Sequence, residues 1–429
     1  MDKLVIRGGR PLHGKVDIGG AKNAAVAILP ATIMAEGPCT IQNVPDISDV
    51  HILLEIMSSM GVDVRMTGKH EYYLDGRGLV SSVIEHEEAR RMRASYYFLG
   101  AMLSRFGKAA VALPGGCNLG ARPIDQHLKA FMALGCECVV DHGMVYCDSG
   151  RGLKGNQVIF DIVSVGATIN AMLAACKAEG RTVLQNVAKE PHVVDVANIL
   201  NMMGADIRGA GTDTIKINGV KHLRGVEYSI IPDQIEAGTF IAAAVATGGD
   251  VEIDNITPKH LETIVSRIRE MGGEITLDEE CAYVRRRGPL LATNLRTMPH
   301  PGFPTDMTPQ ASVLLALAEG TSVIQEGIWS NRFRYADELR RMGARFSVEG
   351  KTAIISGVSK FSGAPVVSTD LRAGAAMVIA GLCADGMTEV RGVEYIDRGY
   401  EDFVGKLRAL GADIERVEDL EEQIVQQEA

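Results

Sequence analysis

An apolar helical stripe runs into Met-Gly and then into a short strand at Ile199-Leu200-Asn201-Met202-Met203-Gly204-Ala205-Asp206-Ile207. The same pattern, with Met-Gly or Leu-Gly at its centre, occurs six times, at Gly61, Gly135, Gly204, Gly272, Gly343 and Gly411. Successive glycines are 74, 69, 68, 71 and 68 residues apart. We interpret each glycine as the left-handed residue that follows the end of a helix. The chain is therefore predicted to consist of six repeats of about 70 residues each.

Each repeat also contains an earlier helix that is apolar on almost every side, which is typical of a fully buried helix. The predicted closing glycines of these helices are Gly37, Gly107, Gly180, Gly249, Gly320 and Gly386. Strand pairs with a glycine turn lie between the repeats, as in Ala353-Ile354-Ile355-Ser356-Gly357-Val358. Each repeat is therefore predicted to run helix, strand, helix, strand, strand, which places the protein in the α/β class.

The two ends of the chain are predicted to share one repeat. The sixth repeat runs out near Val417 before a final strand pair, and residues 4–9 and 14–18 supply such a pair. Six repeats divide most simply into three and three. We therefore expect one domain at residues 22–230 and a discontinuous domain of residues 1–21 plus 231–429, with the chain crossing near Ile231-Pro232-Asp233.

The composition excludes several classes of function. The 429 residues are 46% hydrophobic and 23% charged, with a formal net charge of −10, so a non-specific nucleic-acid or anionic-membrane binder is not expected. No uncharged apolar stretch reaches the roughly 18–20 residues that span a bilayer, and Arg7 interrupts any signal-peptide core at the N-terminus. Eight cysteines do not suggest a disulfide scaffold. These features indicate a cytoplasmic protein with reduced thiols.

Charged and polar residues are concentrated at the predicted N-termini of the buried helices. They are Lys22-Asn23, Arg93, Ser164-Val165-Gly166, Asp233, Asp306, and Asp370 with Arg372. Helix N-termini offer free N–H groups and a positive partial charge to anions. Serine and aspartate there are equally well explained as helix caps, whereas Lys22, Arg93 and Arg372 oppose the helix dipole and favour a binding role.

A second set of arginines occupies one position of the repeat. Arg332 and Arg398 lie 12 residues after the closing glycine, and Arg122 falls level with them once a short insertion in the second repeat is allowed for. The insertion lies in the glycine-rich segment 113–123 around Cys117, a segment with little core in which to bury a thiol. A nearby arginine lowers the pKa of a thiol, so Cys117 is predicted to be reactive. Guanidinium groups are the preferred partners of phosphate and carboxylate.

No metal or cofactor is expected from the sequence. Cys136-Glu137-Cys138 with His142 matches no standard zinc spacing, and alternate cysteines on one strand favour core packing. The chain has no phosphate-binding P-loop, no dinucleotide fingerprint and no serine-hydrolase elbow.

Several of these segments together resemble the UDP-N-acetylglucosamine 1-carboxyvinyltransferase family of enolpyruvyl transferases. They are Gly19-Gly20-Ala21-Lys22-Asn23-Ala24, Pro114-Gly115-Gly116-Cys117 through Arg122-Pro123, Ser164-Val165-Gly166-Ala167-Thr168, Phe303-Pro304-Thr305-Asp306-Met307, Asn331-Arg332-Phe333, Thr369-Asp370-Leu371-Arg372 and Ile396-Asp397-Arg398-Gly399-Tyr400. The resemblance covers essentially the whole chain. It implies two inside-out α/β barrels, each of three βαβαββ units, and transfer of the enolpyruvyl group of phosphoenolpyruvate to the 3′-hydroxyl of UDP-N-acetylglucosamine.

The resemblance also implies roles for individual residues. Cys117 would protonate the methylene of phosphoenolpyruvate, Asp306 would act as base near the sugar hydroxyl, and Asn23 belongs to the catalytic set. Lys22, Arg122 and Arg398 would hold the phosphate and carboxylate of phosphoenolpyruvate. The substrate-binding set comprises Lys22, Asn23, Arg93, Arg122, Pro123, Ile124, Asp125, Gln126, Ile162, Val163, Ser164, Val165, Asp306, Ile328, Arg332, Asp370, Arg372 and Arg398. Some family members have lysine where this chain has Ile162, so no charge is expected on the diphosphate from that position.

Two other functions fit part of the pattern. 5-Enolpyruvylshikimate-3-phosphate synthase shares the repeat and the donor but lacks the insertion that carries the cysteine. A non-catalytic paralogue could bind the UDP-sugar as a sensor, although retention of Cys117, Asp306 and Arg398 argues against this. Phosphate release from phosphoenolpyruvate with each acceptor distinguishes the three possibilities.

Overall fold

The computed structural model describes residues 2–84, 92–113 and 124–419. The α-helices in these ranges are α1 (Lys22–Ala31), α2 (Ser48–Ser59), α3 (Tyr97–Phe106), α4 (Asp125–Ala133), α5 (Val165–Ala175), α6 (Pro191–Met202), α7 (Gln234–Thr247), α8 (Pro258–Glu270), α9 (Thr308–Ala316), α10 (Ala336–Arg341), α11 (Leu371–Cys383), α12 (Val393–Asp397) and α13 (Phe403–Ala409). Short 3₁₀ turns precede or follow several of them.

The strands in the same ranges follow in chain order. They are β1 (Asp2–Arg7), β2 (His13–Asp17), β3 (Cys39–Gln42), β4 (Asp63–Gly68), β5 (Glu71–Asp75), β6 (Val83–Ile84), β7 (Lys108–Ala112), β8 (Glu137–Asp141), β9 (Met144–Asp148), β10 (Gln157–Ile159), β11 (Arg181–Gln185), β12 (Asp206–Arg208), β13 (Thr214–Asn218), β14 (Glu227–Ser229), β15 (Asp250–Asp254), β16 (Glu274–Leu277), β17 (Cys281–Arg285), β18 (Leu295–Arg296), β19 (Thr321–Gln325), β20 (Arg345–Glu349), β21 (Thr352–Ser356), β22 (Phe361–Ser362), β23 (Pro365–Val367), β24 (Ala384–Asp385), β25 (Met387–Arg391) and β26 (Asp413–Glu418).

The described residues form two compact units. The inserted unit comprises the described residues between 20 and 231, and the discontinuous unit comprises residues 2–19 and 232–419. The chain passes between the units at Gly19–Gly20 and again at Ile231–Pro232.

Each unit contains three four-stranded sheets of one topology. In each sheet a leading strand runs parallel to the second strand, and the third strand is antiparallel to both of its neighbours. The sheets of the inserted unit are β14-β3-β5-β4, β6-β7-β9-β8 and β10-β11-β13-β12. Those of the discontinuous unit are β2-β15-β17-β16, β18-β19-β21-β20 and β23-β25-β1-β26, with a small β22-β24 pair beside them. The predicted α/β class is confirmed.

The N-terminal strands do not both complete the sixth repeat, so that part of the prediction is wrong. Strand β1 does complete it, since β1 pairs antiparallel with both β25 and β26. Strand β2 instead pairs in parallel with β15 of the fourth repeat, with Val16 opposite Ile253. In return β14 pairs in parallel with β3 of the first repeat. Each crossing therefore follows a leading strand. After β2 the chain passes from the discontinuous unit to the inserted unit and begins α1, and after β14 it returns and begins α7.

The buried helices form the centre of each unit. In the discontinuous unit α7, α9 and α11 pack against one another, and every residue of α7 from Ile235 to Ala246 is buried. In the inserted unit α3 packs against both α1 and α5. Because these helices are surrounded by sheets and amphipathic helices, an apolar residue on any side lowers the free energy of the fold.

The glycines that follow the later helix of each repeat have a left-handed backbone conformation, as predicted. Their φ angles lie between +91° and +107° at Gly61, Gly135, Gly204, Gly272, Gly343 and Gly411. Of the closing glycines predicted for the buried helices, only Gly107 is right, as the left-handed cap of α3. Helices α1, α5, α9 and α11 end at Ala31, Ala175, Ala316 and Cys383, before Gly37, Gly180, Gly320 and Gly386, and the left-handed cap of α7 is Gly248 rather than Gly249.

No helix within residues 2–84, 92–113 and 124–419 is both long enough and apolar enough to cross a bilayer.

Candidate active site

Lys22 opens helix α1 in the inserted unit, where a cation is unfavourable for the helix dipole. Its Nζ lies 2.8 Å from Oδ2 of Asp49, in the first turn of α2, and both side chains are largely buried. The carboxylate compensates the lysine charge and fixes the position of the ammonium group. Asn23 follows Lys22 on the same first turn and is half-buried.

The first turn of α4 holds the segment that leads into α5. Gln126 is buried, its Nε2 donates to Oδ2 of Asp161 at 3.0 Å, and its Oε1 accepts the Asp161 N–H at 2.9 Å. This pair of hydrogen bonds fixes the backbone immediately before Ile162, whose side chain is exposed. Ile124 and Asp125 lie at the start of the same helix. Val163 follows Ile162 in the fixed segment.

Ser164 caps α5, because its Oγ accepts the Ala167 N–H at 3.3 Å. Val165 is the first residue of that helix. The capping interpretation of the serine is therefore confirmed. Its part in substrate binding stays a prediction.

His127 links three elements that carry predicted site residues, and sequence reasoning missed it. Its Nδ1 is hydrogen-bonded to Nδ2 of Asn170 at 3.1 Å, and Oδ1 of Asn170 accepts the Gly100 N–H of α3 at 2.9 Å. The ring also makes an edge contact with Tyr96, and a Cβ on Gly166 would lie 3.0 Å from it. Burial lowers the pKa of His127 to about 4, so the imidazole is neutral and acts as a rigid spacer.

Asp306 lies between two buried arginines in the discontinuous unit. It belongs to the 3₁₀ turn Thr305–Met307 that leads into α9. Nη2 of Arg332 is 3.5 Å from its Oδ1, and Nε of Arg372 is 3.3 Å from its Oδ2. The arginine side chains are 1% and 3% exposed, whereas the carboxylate is 31% exposed. The arrangement presents an accessible carboxylate whose charged form is stabilised from two sides.

Other contacts hold the two guanidinium groups in place. Nε of Arg332 donates to the Thr305 carbonyl at 3.0 Å, and the guanidinium of Arg372 lies 5.3 Å from the centre of the Tyr400 ring. Within the described residues, Nη1 of Arg372 is buried without a hydrogen-bond partner. Arginine cannot lose its charge in proteins, so this group offers a fixed cationic donor to an anion.

Asp370 acts as the cap of α11. Its Oδ1 accepts the backbone N–H groups of Arg372 at 2.9 Å and Ala373 at 3.1 Å. The same oxygen is 3.9 Å from Nη1 of Arg332. Capping therefore accounts for this aspartate, and it also adds negative charge beside one of the two arginines. Asp233 caps α7 in the same way, through Ile235 and Glu236.

Glu326 connects the Asp306 turn to Ile328, and sequence reasoning missed it as well. The carboxylate is 1% exposed, and its Oε1 accepts the N–H groups of Ile328 at 2.8 Å and Trp329 at 3.2 Å. The remaining donors are threonine hydroxyls: Thr297 at 2.7 Å, Thr305 at 3.1 Å and Thr308 at 3.3 Å. In the sequence, Glu326 is a single glutamate that follows a short strand, and nothing marks it as a residue that accepts five hydrogen bonds.

Five predicted site residues are described in part or not at all. Arg398 is half-buried at the end of α12, two residues before Tyr400. Arg93 opens the 3₁₀ turn before α3, and its side chain is not among those described. Cys117 and the Arg122-Pro123 pair lie outside the described residues. In the part of the chain that the structure covers, no group of three or more His, Cys, Asp or Glu is arranged to hold a metal ion.

Comparison with known proteins agrees with this geometry. The family model for EPSP synthase (3-phosphoshikimate 1-carboxyvinyltransferase) matches residues 6–407. The crystal structure of the enolpyruvyl transferase NikO from Streptomyces tendae superposes with a TM-score of 0.89 at 28% identity, over 97% of this chain and 99% of that one. EPSP synthase from Acinetobacter baumannii shares the fold, with a TM-score of 0.74 at 20% identity over 97% and 100% of the chains. The class is therefore that of the enolpyruvyl transferases, with their two-domain fold.

Curated relatives narrow the class further. UDP-N-acetylglucosamine 1-carboxyvinyltransferase 3 of Caldanaerobacter subterraneus subsp. tengcongensis is 58% identical over 97% of this chain and 100% of that protein. UDP-N-acetylglucosamine 1-carboxyvinyltransferase 2 of Geobacillus kaustophilus is 50% identical over 99% of each chain. The chain belongs to the UDP-N-acetylglucosamine 1-carboxyvinyltransferase family, as the sequence motifs predict.

Proposed function

We propose that the protein transfers the enolpyruvyl group of phosphoenolpyruvate to the 3′-hydroxyl of UDP-N-acetylglucosamine, with release of phosphate. This reaction is the first committed step of peptidoglycan synthesis. The observation that carries the proposal is the Asp306 carboxylate between the buried Arg332 and Arg372. A base beside fixed cations suits deprotonation of a hydroxyl next to an anionic donor. The names of relatives that match the whole chain support the same substrates.

The chemistry assigns a task to each part of the site. Asp306 accepts the proton of the sugar hydroxyl while the oxygen attacks the enol carbon. The neighbouring arginines stabilise negative charge as it develops on that oxygen. Cys117 delivers a proton to the methylene carbon, which becomes a methyl group; the Cys117 thiolate then takes a proton back from that methyl as the C–O bond to phosphate breaks, and the double bond is restored. The protein requires no metal or cofactor for these steps.

The remaining residues bind the two substrates. Lys22, Arg122 and Arg398 hold the phosphate and carboxylate of phosphoenolpyruvate, and Asn23 supports the reacting groups. The nucleotide sugar is bound by the residues that precede α4 and α5 and by Ile328. Support comes from the fixed positions of Lys22, through Asp49, and of the segment 162–165, through Gln126. Nucleic acid has no place in this scheme.

Two wider features belong to the same proposal. The protein folds as a domain of residues 22–230 and a discontinuous domain of residues 1–21 plus 231–429. It works in the cytoplasm. The cysteines of the described ranges are free thiols, which agrees with a reducing compartment.

Phosphate release from phosphoenolpyruvate tests the reaction. We expect release with UDP-N-acetylglucosamine and none with shikimate 3-phosphate. Asp385→Asn, an exposed carboxylate of the same unit paired with Lys360, is the control for Asp306→Asn and should leave the rate unchanged. Release with shikimate 3-phosphate, or with neither acceptor in a folded enzyme, would overturn the proposal.

The role of Cys117 has its own test. If its task is to donate a proton, Cys117→Asp should retain substantial activity, whereas Cys117→Ala and Cys117→Ser should lose nearly all of it. The epoxide fosfomycin alkylates thiolates, so it should inactivate the wild type and spare the aspartate variant. An aspartate variant that is folded and binds the nucleotide sugar but is inactive would make Cys117 an obligatory nucleophile.

A further inference from the structure

Two cysteines of the inserted unit face each other across a β-hairpin. Cys138 of β8 is directly opposite Cys147 of β9 in the antiparallel register. Side chains of directly opposed residues project from the same face of a sheet. The proposed reaction uses neither thiol.

The turn of the hairpin determines how close the two cysteines are. Strands β8 and β9 are joined by His142 and Gly143, whose φ angles of +47° and +77° define a two-residue turn of type I′. Counting outward from such a turn, pairs alternate between hydrogen-bonded and non-hydrogen-bonded, and the first pair is hydrogen-bonded. The cysteines form the fourth pair, so their Cα atoms belong to the closer type, at about 4.5 Å. That separation lies within the roughly 4.4–6.8 Å that a disulfide needs.

The two thiols have different surroundings. Cys147 is 2% exposed, whereas Cys138 is half-buried on the edge strand of its sheet. A hydrogen bond from the Cys147 thiol lowers the pKa of Cys138, while the same hydrogen bond and burial raise the pKa of Cys147. Cys138 is therefore the sulfur that solvent reaches and that ionises first. Its neighbour Cys136 is buried, which raises the pKa of that thiol to about 12.

We propose that Cys138 and Cys147 are a modification site at which hydrogen peroxide forms a reversible intramolecular disulfide. The proposal rests on the register and turn of the hairpin, and it is independent of the proposed transferase activity.

The chemistry has two steps. The Cys138 thiolate attacks one peroxide oxygen, so an S–O bond forms and the O–O bond breaks. The departing hydroxide takes a proton to become water, and Cys138 becomes a sulfenic acid. The Cys147 sulfur then attacks the Cys138 sulfur. The S–S bond forms, the S–O bond breaks, and the hydroxyl leaves with the Cys147 proton as a second water. Two thiols lose two electrons in total, and one peroxide is reduced to two waters.

Peptide mapping of the full-length protein tests the proposal. Cleavage before aspartate cuts at Asp141 and so separates Cys138 from Cys147 unless a disulfide joins them. After exposure to hydrogen peroxide, we expect the two peptides to run as one linked species that a dithiol reductant separates. The linked species should be absent in both Cys138→Ser and Cys147→Ser.

Further variants keep the test decisive. In Cys147→Ser the Cys138 sulfenic acid has no opposite thiol, so a dimedone adduct should accumulate there. Cys136→Ser is the matched control and should still form the linked species. Thermal unfolding of each variant establishes that it is folded. If the Cys147→Ser variant is not folded, the peptide map of the wild-type protein alone decides the test. The proposal is overturned if peroxide oxidises other cysteines while Cys138 and Cys147 remain free, or if Cys138 pairs with Cys136.

Discussion

Replacing Glu326 should show how much the Asp306 turn and the Ile328 segment depend on one buried carboxylate. In Glu326→Ala the three threonine hydroxyls can rotate toward other acceptors, but the backbone N–H groups of Ile328 and Trp329 cannot. Both N–H groups belong to half-buried residues, and each loses a hydrogen bond to a charged group, which costs about 1–3 kcal/mol. Two of them therefore lower the free energy of unfolding by about 2–6 kcal/mol.

Glu326→Gln separates the shape of the side chain from its charge. The amide oxygen can take the place of Oε1 and keep both backbone donors and the Thr297 hydroxyl. The amide nitrogen then faces hydroxyls that can accept from it. Only the charge assistance is lost, and burial of a charge is no longer required, so we expect a cost of about 1–2 kcal/mol.

Urea unfolding followed by circular dichroism measures both costs, and phosphate-release kinetics measures the effect on function. Because Glu326 fixes Ile328, the alanine variant should raise KM for UDP-N-acetylglucosamine at least tenfold, a change of about 1.4 kcal/mol, and change KM for phosphoenolpyruvate less. Glu349→Gln, at the exposed end of β20, is the control. An alanine variant that loses less than about 1 kcal/mol and keeps the wild-type KM would refute this reasoning.

Three further predictions concern single residues. Asp306→Asn should keep UDP-N-acetylglucosamine binding, measured by calorimetry, but lower turnover by about 10²–10⁴-fold, because an amide cannot take the hydroxyl proton; turnover within a few-fold of wild type would remove Asp306 from the mechanism. Burial lowers the pKa of His127 from 6.5 to about 4, so the unfolded chain binds the proton first and the histidine should cost up to about 3 kcal/mol as pH falls from 6.5 to 4. Burial raises the pKa of Glu236 from 4.5 to about 7, so its contribution has the opposite sign and stability is lost as pH rises from 4.5 to 7. His127→Gln and Glu236→Gln should each flatten their part of the curve of urea-derived stability against pH. Unchanged curves would contradict both assignments. Gly100→Ala should cost about 1–3 kcal/mol in thermal unfolding, because its Cβ would lie 2.5 Å from the Asn170 carbonyl oxygen. Gly238→Ala should cost less, because its Cβ would meet only side-chain ends, those of Met307 and Ile264; equal costs would refute the comparison.

The features that sequence predicts well are those that repeat locally. The six left-handed glycines and the buried helices follow from short-range patterns, since a helix end and an apolar stripe are properties of neighbouring residues. The position of Arg372 at the start of a buried helix, and the repeat position that Arg332 shares with Arg398, were also predictable by counting within the repeat. The contact of both arginines with the Asp306 carboxylate, at 3.5 Å and 3.3 Å, was not predictable, because the spacing within a repeat does not fix distances between repeats.

Long-range pairing is where the sequence interpretation was wrong. Residues 14–18 have the same alternation whether they pair with the sixth repeat or with the fourth, so the choice of β15 as the partner of β2 is made by tertiary packing. His127 and Glu326 were missed for a related reason. Each is a single polar residue in an ordinary local context, and only the fold shows that three elements or five donors meet there.

The insertion of one unit within the sequence of the other has a consequence for synthesis on the ribosome. Arg7 of β1 is opposite Asp413 of β26, 406 residues later. At about 5–20 residues per second, roughly 20–80 s separate the emergence of these two strands. All of the inserted unit is made within that interval, so it can fold before β1 has its partner strands β25 and β26. Until then β1 is an unpaired strand with Leu4 and Ile6, both buried in the finished fold, exposed to solvent, and such edges are prone to aggregate. The vulnerable period of this chain is therefore set by translation speed, and a slower ribosome would lengthen the time for which the nascent N-terminus needs a chaperone.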